Sequence, residues 1–421
     1  MAHVDSARSG SERLHALDAV RGFALLLGIA FHATLSFIPT SAPIWPVQDT
    51  HRSVVLSVVF FATHVFRMTT FFLIAGFFAH MSFHRRGALG FIGDRLKRIA
   101  LPLVVGWPIL FAAIVAVSLW AAIAANGGQL PKAPPPAWPA LPNFPLTHLW
   151  FLYVLLEFYA AAMILRSPFA LIDRGGRFRA RIDRLVGRLT AGPFAAAVLA
   201  IPVALALAAD PKWLMWFGAP APDTSLVTNP EAAVGYGFAF GFGWLLHRQV
   251  DSLRGLERWW LLNLVLAVGF VTACLAMIGL TPELTPVADP TRHLLGAACY
   301  ALATWTTTLA VIGLALRFLS GFSATRRYIA DASYWLYLIH LPIVMALQVV
   351  VAPLDWPWPA KYAVILGVGL AVMFASYQLL VRRSFIGAVL NGRRAPPRSA
   401  PILSTHAAAS TGWADTQEAN R

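Results

Sequence analysis

Residues 17–37 read LDAVRGFALLLGIAFHATLSF, a stretch in which most side chains are apolar. A helix of about 20 mainly apolar residues is long enough to cross a bilayer. The stretch is longer than the apolar part of a typical signal peptide, and it contains Arg21 and His32. It therefore predicts a retained first membrane span.

Apolar runs of similar length recur along almost the whole chain. Of its 421 residues, 58% are hydrophobic and only 12% are charged, whereas a soluble domain carries about 25% charged residues. This composition excludes a soluble globular enzyme and a disordered protein. The predicted fold is an all-α, polytopic membrane protein with ten transmembrane helices, at 17–37, 56–83, 99–124, 147–165, 193–209, 231–246, 259–280, 294–316, 333–352 and 361–381.

The net charge of +14 has two interpretations. A basic protein can bind nucleic acid, but Lys and Arg also collect in the cytosolic loops of membrane proteins. Most of the 33 Lys and Arg residues fall in alternate segments between the predicted spans. The opposite segments contain only Arg52, Lys132, Lys212, Arg292 and Lys361. The charge therefore predicts cytosolic N- and C-termini, with a lipid bilayer and no nucleic acid as the partner.

The span boundaries divide the chain into three regions. Residues 1–14 are predicted to form a cytosolic N-terminal tail, and residues 15–394 the ten-span domain. Residues 395–421 are rich in Ala, Ser, Pro and Thr, a composition that favours a disordered cytosolic tail.

Neither disulfides nor metal sites are predicted. Cys274 and Cys299 both lie inside apolar runs, where they are most simply small buried side chains. His80 and His84 have a spacing compatible with metal ligands, but no carboxylate lies near them in the sequence. The four-ligand set of a zinc site is therefore missing.

The first span carries polar residues on one stripe of its helix. Asp18, Arg21, Gly28 and His32 follow one another at helical spacing, and eleven residues place Arg21 and His32 on one face about 16 Å apart. Ionisable groups inside a membrane usually mark a function or an internal partner. The alternative is structural: a histidine that is hydrogen-bonded to a neighbouring helix, with Arg21 snorkelling to the interface.

The second span repeats this arrangement with His64 and Arg67 on one face. Arg67 is too costly to face lipid. Its predicted partner is Asp18, Glu157 or a bound anion, and a purely structural ion pair is the alternative.

Spans four and nine contribute further polar faces. Trp150, Tyr153 and Glu157 share one face of span four, and Tyr337 and His340 lie together on span nine. These side chains are predicted to contact substrate or to form a structural polar core. A tryptophan near the membrane surface is also typical of an interfacial belt.

A basic segment enters the third span. Arg95 and Arg98 are three residues apart, with Lys97 between them, and paired guanidinium groups suit phosphates. The alternative is a role in topology or in binding anionic lipid.

Together these motifs resemble the acyltransferase-3 superfamily of integral membrane O-acyltransferases. The matching elements are LDAVRG at 17–22 with His32, FFLIAGF at 71–77, RLKR at 95–98 before Pro102, and SYWLYLIH at 333–340. Within that superfamily, HLWFLY at 148–153 and the ending VRRSFIGAVLNGRR at 381–394 resemble the branch that modifies periplasmic glucans, the glucan succinyltransferase-like branch.

The resemblance implies an enzyme of the bacterial inner membrane. It would move an acyl group from cytosolic acyl-coenzyme A, either acetyl- or succinyl-coenzyme A, to a hydroxyl of a glucan or another cell-envelope glycan outside the membrane. No permanently bound cofactor is implied. The resemblance gives His32 the catalytic role with support from Arg21, and it makes Arg95 and Arg98 donor-binding residues, with Lys97 beside them. Some relatives carry an extracytoplasmic domain that completes the transfer; here a separate periplasmic partner would have to supply it.

Simple chemistry agrees with this assignment. A thioester is already activated, so the main need is a base that takes the proton of the hydroxyl, and imidazole suits this near neutral pH. Arg67 or a nearby donor would stabilise the developing oxyanion. The rival function is a transporter or flippase whose polar pathway contains His32, Arg67, Glu157 and His340. The acyl group, the acceptor, an acyl-histidine intermediate and the oligomeric state stay open.

Overall fold

The structure is a computed structural model that describes residues 2–41, 44–130 and 143–391. Within these ranges every regular element is a helix and no strand is present. The helices are α1 (Ala2–Thr34), α2 (Val54–Arg95), α3 (Leu101–Ala125), α4 (Trp150–Ile172), α5 (Arg177–Ala191), α6 (Ala195–Ala209), α7 (Pro230–Arg248), α8 (Leu253–Arg258), α9 (Trp260–Ile278), α10 (Pro290–Phe318), α11 (Ala324–Val351), α12 (Trp358–Ser376) and α13 (Phe385–Leu390).

Seven helical segments are long and apolar enough to cross a membrane, and the number is eight if the bent pair α5–α6 counts as one span. The axes of that pair differ by 110°. Each of the ten predicted spans overlaps a helix of the structure. The seven segments are Leu14–Phe37, Val54–Ala125, Thr147–Phe169, Trp260–Ile278, Pro290–Phe318, Ala324–Val351 and Trp358–Val381.

The longest of these segments contains two of the predicted spans. Val54–Ala125 has 72 residues, which as a straight helix would be about 108 Å long, more than three times the hydrocarbon thickness of a bilayer. It is interrupted at Gly87, whose φ of 70° is not helical. A wider π-helical turn at Leu96–Ala100 then leads into α3.

The structure describes the backbone of the predicted N-terminal tail from Ala2, but none of the predicted C-terminal tail. From Ala2 onward, the residues of the 1–14 region continue the helix of α1 instead of forming a separate element. The predicted disordered tail 395–421 lies outside the described residues, as do residues 392–394 at the end of the predicted ten-span domain.

Helices α2 and α7 approach each other through two glycines. A Cβ atom on Gly76 would lie 1.9 Å from the carbonyl oxygen of Phe240, and one on Gly243 would lie 1.8 Å from that of Leu73. Real side chains cannot come that close, so both positions require glycine. The glycine-rich stretch 235–243 therefore contributes to close helix packing.

Gly243→Ala is expected to destabilise the protein by about 1–3 kcal/mol, the usual range for overpacking a tight contact. The measurement is thermal unfolding of the purified protein in detergent. Gly241→Ala is the matched control, because a Cβ there would meet nothing within 4 Å. Equal unfolding temperatures for both variants would show that the backbones of α2 and α7 are not in direct contact at Gly243.

Candidate active site

One cavity of about 1030 Å³ connects most of the polar residues predicted from the sequence. It passes between α1, α2, α4 and α11. At its arginine end it is lined by Arg85, Arg86, Arg95 and Arg98, and at its loop end by Trp45, Pro220 and Asp223. The predicted site residues on its wall are Asp18, Arg21, His32, His64, Arg67, Arg95, Arg98, Trp150, Tyr337 and His340.

The polar stripe of α1 faces this cavity, as the helical spacing predicts. Arg21 forms an ion pair with Asp18, with 3.2 Å between Nη2 and Oδ1. Gly28 and His32 line the cavity farther along the same face. A Cβ on Gly28 would lie 3.9 Å from Nη1 of Arg67, so the absence of a side chain keeps the passage beside α1 open.

The ring of His32 is held in one orientation. Its Nδ1 lies 2.8 Å from the carbonyl oxygen of Gly28, and a carbonyl can only accept, so Nδ1 carries the proton. His340 has its own Nδ1 2.6 Å from the carbonyl of Tyr337, which leaves its Nε2 as an acceptor 3.1 Å from His32 Nδ1. His32 Nε2 is therefore the unprotonated nitrogen, and in the described part of the chain no residue hydrogen-bonds to it.

Tyr337 and His340 support this arrangement from α11. The hydroxyl of Tyr337 donates to the carbonyl oxygen of His148 at 2.7 Å. The ring of His148 donates through Nε2 to the carbonyl of Leu338 at 2.9 Å and lies 5.2 Å from the ring of His340. The polar faces of spans four and nine thus meet beside His32, where they fix the neighbouring imidazoles.

Arg67 is buried in the cavity wall, and no carboxylate of the described residues pairs with it. Only 7% of the residue is exposed, its guanidinium lies 4.0 Å from the ring centroid of Phe31, and Nη1 has no hydrogen-bond partner among the described residues. Of the predicted partners, the two carboxylates are wrong, and a bound anion stays a prediction. Asp18 pairs with Arg21, and Glu157 accepts a hydrogen bond from Thr228 at 2.6 Å.

His64 lies one turn from Arg67 on the same face of α2. Its Nε2 lies 2.7 Å from the carbonyl oxygen of Phe217, so Nε2 carries the proton. Its Nδ1 is buried and without a partner within the described ranges. The rings of Phe31 and Phe60 stack on it at 5.3 and 5.6 Å. Nδ1 of His64 is therefore a free hydrogen-bond acceptor and Nη1 of Arg67 a free donor, both in the wall of the cavity that contains His32.

Tyr153 and Glu157 do not line the cavity. Tyr153 donates to the carbonyl oxygen of Leu226 at 2.8 Å, and Glu157 holds Thr228. Both side chains fasten the segment before α7 to α4. Tyr153 and Glu157 do share a face of α4, as their spacing predicts. That face contacts the connecting segment and not the cavity. Trp150, from the same helix, does line the cavity, where it stacks on Tyr236 at 5.7 Å.

The arginine end is organised around one acidic residue. The Asp94 side chain is 6% exposed and lies 3.1 Å from Nε of Arg98 and 3.7 Å from Nη2 of Arg95. Arg86 also hydrogen-bonds to Asp94. Tyr334 of α11 donates to the carbonyl oxygen of Arg98 at 2.7 Å. The π-helical turn that carries Arg98 is thereby held against α11.

Arg95 and Arg98 thus stand together at the cavity, whereas Lys97 does not. Lys97 lines a smaller cavity of about 290 Å³ that adjoins this end, because Arg86 and Arg98 line both cavities. Nε of Arg95 is buried without a partner in the part of the chain that is described. Within that part, no group of three His, Cys, Asp or Glu side chains is arranged to hold a metal ion.

Some cavity residues are not among those predicted from the sequence. Trp45 lies in the segment after α1, and Asp223 in the segment before α7. Neither segment has a helical period that would show which side chains point inward. Asp223 is exposed, yet neighbouring protein desolvates its carboxyl group, which raises its pKa. Arg86 could have been identified from its position beside Arg85 in the same basic segment.

Comparison with known proteins gives one family and several relatives. The family model described as "Acyltransferase domain", of the acyltransferase-3 type, matches residues 14–378. "Glucans biosynthesis protein C" of Shigella dysenteriae serotype 1 (strain Sd197) is 30% identical over 155 residues, 35% of this chain and 37% of that protein. The proteins of the same name from Escherichia coli strains SMS-3-5 / SECEC and K12 are 30% and 29% identical over the same shares.

The match therefore spans little more than a third of the length of these curated relatives. No solved structure gives a significant match to the chain. The family model, in contrast, covers nearly all of α1 to α12.

Proposed function

The chain belongs to the acyltransferase-3 family of membrane acyltransferases, and we propose from this premise that it transfers an acyl group from acyl-coenzyme A to a hydroxyl of a glucan. The family match over residues 14–378 supports the reaction class. The names of the relatives, which refer to glucan biosynthesis, support the acceptor, with other cell-envelope glycans as the wider class. The protein would act in the bacterial inner membrane.

The proposed topology has ten spans and both termini in the cytosol. Each span predicted from the apolar runs overlaps a helix, and the basic residues alternate between the intervening segments. In this orientation the arginine end of the cavity faces the cytosol, where acyl-coenzyme A is made. The loop end faces the acceptor outside.

The observation that carries the proposal is that His32, with a free Nε2, stands in a cavity whose one end is rich in arginine. Arg95 and Arg98 would bind the phosphates of coenzyme A, because guanidinium groups pair well with phosphate oxygens. Lys97, which lines the adjoining smaller cavity with Arg98, would add to the positive charge there. Arg21 stands between them and His32 on α1, where the pantetheine arm would pass.

In the proposed reaction the acceptor hydroxyl attacks the thioester carbonyl while His32 Nε2 takes its proton. The new C–O bond forms, the C–S bond breaks, and the proton passes to the departing thiolate, so that an ester and free coenzyme A result. The contact from His32 Nδ1 to His340 Nε2 would stabilise the imidazolium. An acyl-histidine intermediate would use the same Nε2 and is the alternative order of events.

Among acetyl and succinyl groups, the surroundings of Arg67 favour succinyl. A buried guanidinium without a partner is costly, and the free carboxylate of a succinyl group would compensate its charge. An acetyl group offers no such charge. The role in stabilising the oxyanion, which the sequence also suggests, remains the alternative for Arg67.

Arg67→Met is expected to lower the preference for succinyl- over acetyl-coenzyme A by at least about tenfold, since a charge-assisted hydrogen bond contributes about 1.5–3 kcal/mol. The measurement is kcat/KM for each donor with the same glucan. A role in binding the oxyanion would lower both values by the same factor, so an unchanged ratio would contradict the carboxylate contact. Arg166→Met, outside the cavity lining, is the control.

The function itself is tested with purified protein in liposomes, radiolabelled acyl-coenzyme A and a soluble glucan. Label that appears on the glucan with release of free coenzyme A supports the acyltransferase. The rival transporter predicts flux of glucan or protons across the liposome with no label on the glucan. Adding a cell-envelope extract shows whether a separate periplasmic partner increases the yield.

A further inference from the structure

The loop end of the cavity carries two side chains that the proposed reaction has not used. Trp45 is half-buried and Asp223 is exposed, and both line the same cavity as His32. They come from segments far apart in the sequence.

Trp45 is fixed beside the catalytic face of α1. Its indole N–H donates to Oε1 of Gln348 at 2.9 Å, and Nε2 of Gln348 donates to the carbonyl oxygen of His32 at 3.1 Å. The indole and imidazole rings lie 6.1 Å apart at 30°. With the N–H group occupied, the part of the ring that lines the cavity is an apolar surface.

Asp223 is held at the same end by the residue that precedes His148. The carbonyl oxygen of Asp223 accepts a hydrogen bond from the backbone N–H of Thr147 at 3.0 Å. Thr147 has a φ of 52°, a conformation that costs free energy in a β-branched residue. The segment is fastened further through Leu226 and Thr228.

The carboxylate of Asp223 has no cation partner in the described part of the chain. No ion pair includes it, and its own backbone amide is its hydrogen-bonding group. An ionised carboxylate can only accept hydrogen bonds. Its natural ligands are therefore hydroxyl or amine donors, and it repels anions.

Trp45 lies beside the proposed reaction centre, and Asp223 is linked to it through a series of contacts. Thr147 leads directly into His148, whose ring lies 5.2 Å from that of His340, and His340 contacts His32. Trp45 reaches His32 from the other segment. A ligand against the indole ring would therefore lie next to the imidazole of His32.

We propose that Trp45 and Asp223 form the binding subsite for a neutral glycan acceptor, with one sugar ring against the indole and its hydroxyls donating to the carboxylate. An apolar ring face combined with a few placed polar groups is the usual composition of a small-molecule site. A sugar that already carries negative charge is disfavoured by Asp223. The subsite rests on the proposed function for its role as acceptor site, but its binding can be measured without turnover.

The experiment measures equilibrium binding of a soluble gluco-oligosaccharide and of its carboxymethylated, anionic derivative by the purified full-length protein. Trp45→Ala is expected to weaken binding of the neutral sugar by about tenfold. Asp223→Asn is expected to weaken it several-fold and, because it removes a negative charge, to strengthen binding of the anionic derivative. A variant in which the segment is only disrupted would not bind the anionic derivative more tightly.

Trp356→Ala and Asp355→Asn are matched controls from the exposed segment before α12, outside the cavity lining, and both should bind like the wild type. Trp45→Phe keeps a ring and should bind more tightly than Trp45→Ala, which guards against a variant that simply misfolds. Wild-type affinity in both Trp45→Ala and Asp223→Asn, or tighter binding of the anionic sugar by the wild type, would overturn the subsite. Sugar binding that depends on both residues without acyl transfer would support the subsite and refute the acyltransferase.

Discussion

His32→Ala is expected to lower the rate of acyl transfer by about a hundredfold to ten-thousandfold, the usual contribution of a general base. The alanine cannot take the proton of the acceptor hydroxyl, and water in the cavity is a far weaker base. The measurement is the initial rate of label transfer from acyl-coenzyme A to glucan at saturating concentrations of both. The fold should persist, because His32 lies at a cavity wall and is not in the packed core.

His293→Ala is the matched control for this loss. His293 is a buried histidine of α10, 9% exposed, and it does not line the cavity. Its variant should retain wild-type transfer in every molecule that remains folded. Full activity in His32→Ala, or an equal loss of rate per folded molecule in both variants, would remove His32 from the reaction.

Lys361→Met is expected to destabilise the protein by about 3–5 kcal/mol, since it removes the buried cation that pairs with the buried carboxylate of Asp49. The Nζ atom of Lys361 lies 2.8 Å from Oδ2 and 3.0 Å from Oδ1 of Asp49, and 3.1 Å from the carbonyl oxygen of Ala352. Neither side chain of the pair is more than 1% exposed. Thermal unfolding in detergent measures the change.

Two variants show whether the effect comes from the pair. Lys212→Met removes an exposed lysine of the segment between α6 and α7 and should leave the unfolding temperature unchanged. Lys361→Met combined with Asp49→Leu removes both charges and should recover most of the lost stability. No loss in Lys361→Met alone would mean that the carboxylate of Asp49 is not buried in the membrane-bound protein.

Helical periodicity accounts for what could be predicted of the site. Asp18, Arg21, Gly28 and His32 belong to one helix, so their spacing alone places them on one wall of the cavity. The same argument explains Arg95 and Arg98, which are three residues apart and line the cavity together. The helical class of the fold likewise follows from the length of the apolar runs.

Contacts between helices and connecting segments could not be predicted in this way. The spacing of Tyr153 and Glu157 gives a shared face, but it does not show that residues 226–228 cover that face. Lys361 looks like an ordinary residue of an outer loop, because nothing in its neighbourhood reveals Asp49 more than 300 positions earlier. The sequence offers Arg67 two acidic partners or a bound anion, and it does not show that both carboxylates are engaged elsewhere.

The reciprocal glycine contacts between α2 and α7 have a consequence for motion. Backbones that touch at Gly76 and Gly243 cannot slide past each other without a clash, so these helices should move as one rigid body. That body carries His64 and Arg67. A conformational opening that lets a bulky donor enter or a product leave must then come from the opposite wall of the cavity. That wall is formed by α1 and α11, which hold His32 and His340 together. Each opening would therefore briefly separate the two imidazole rings.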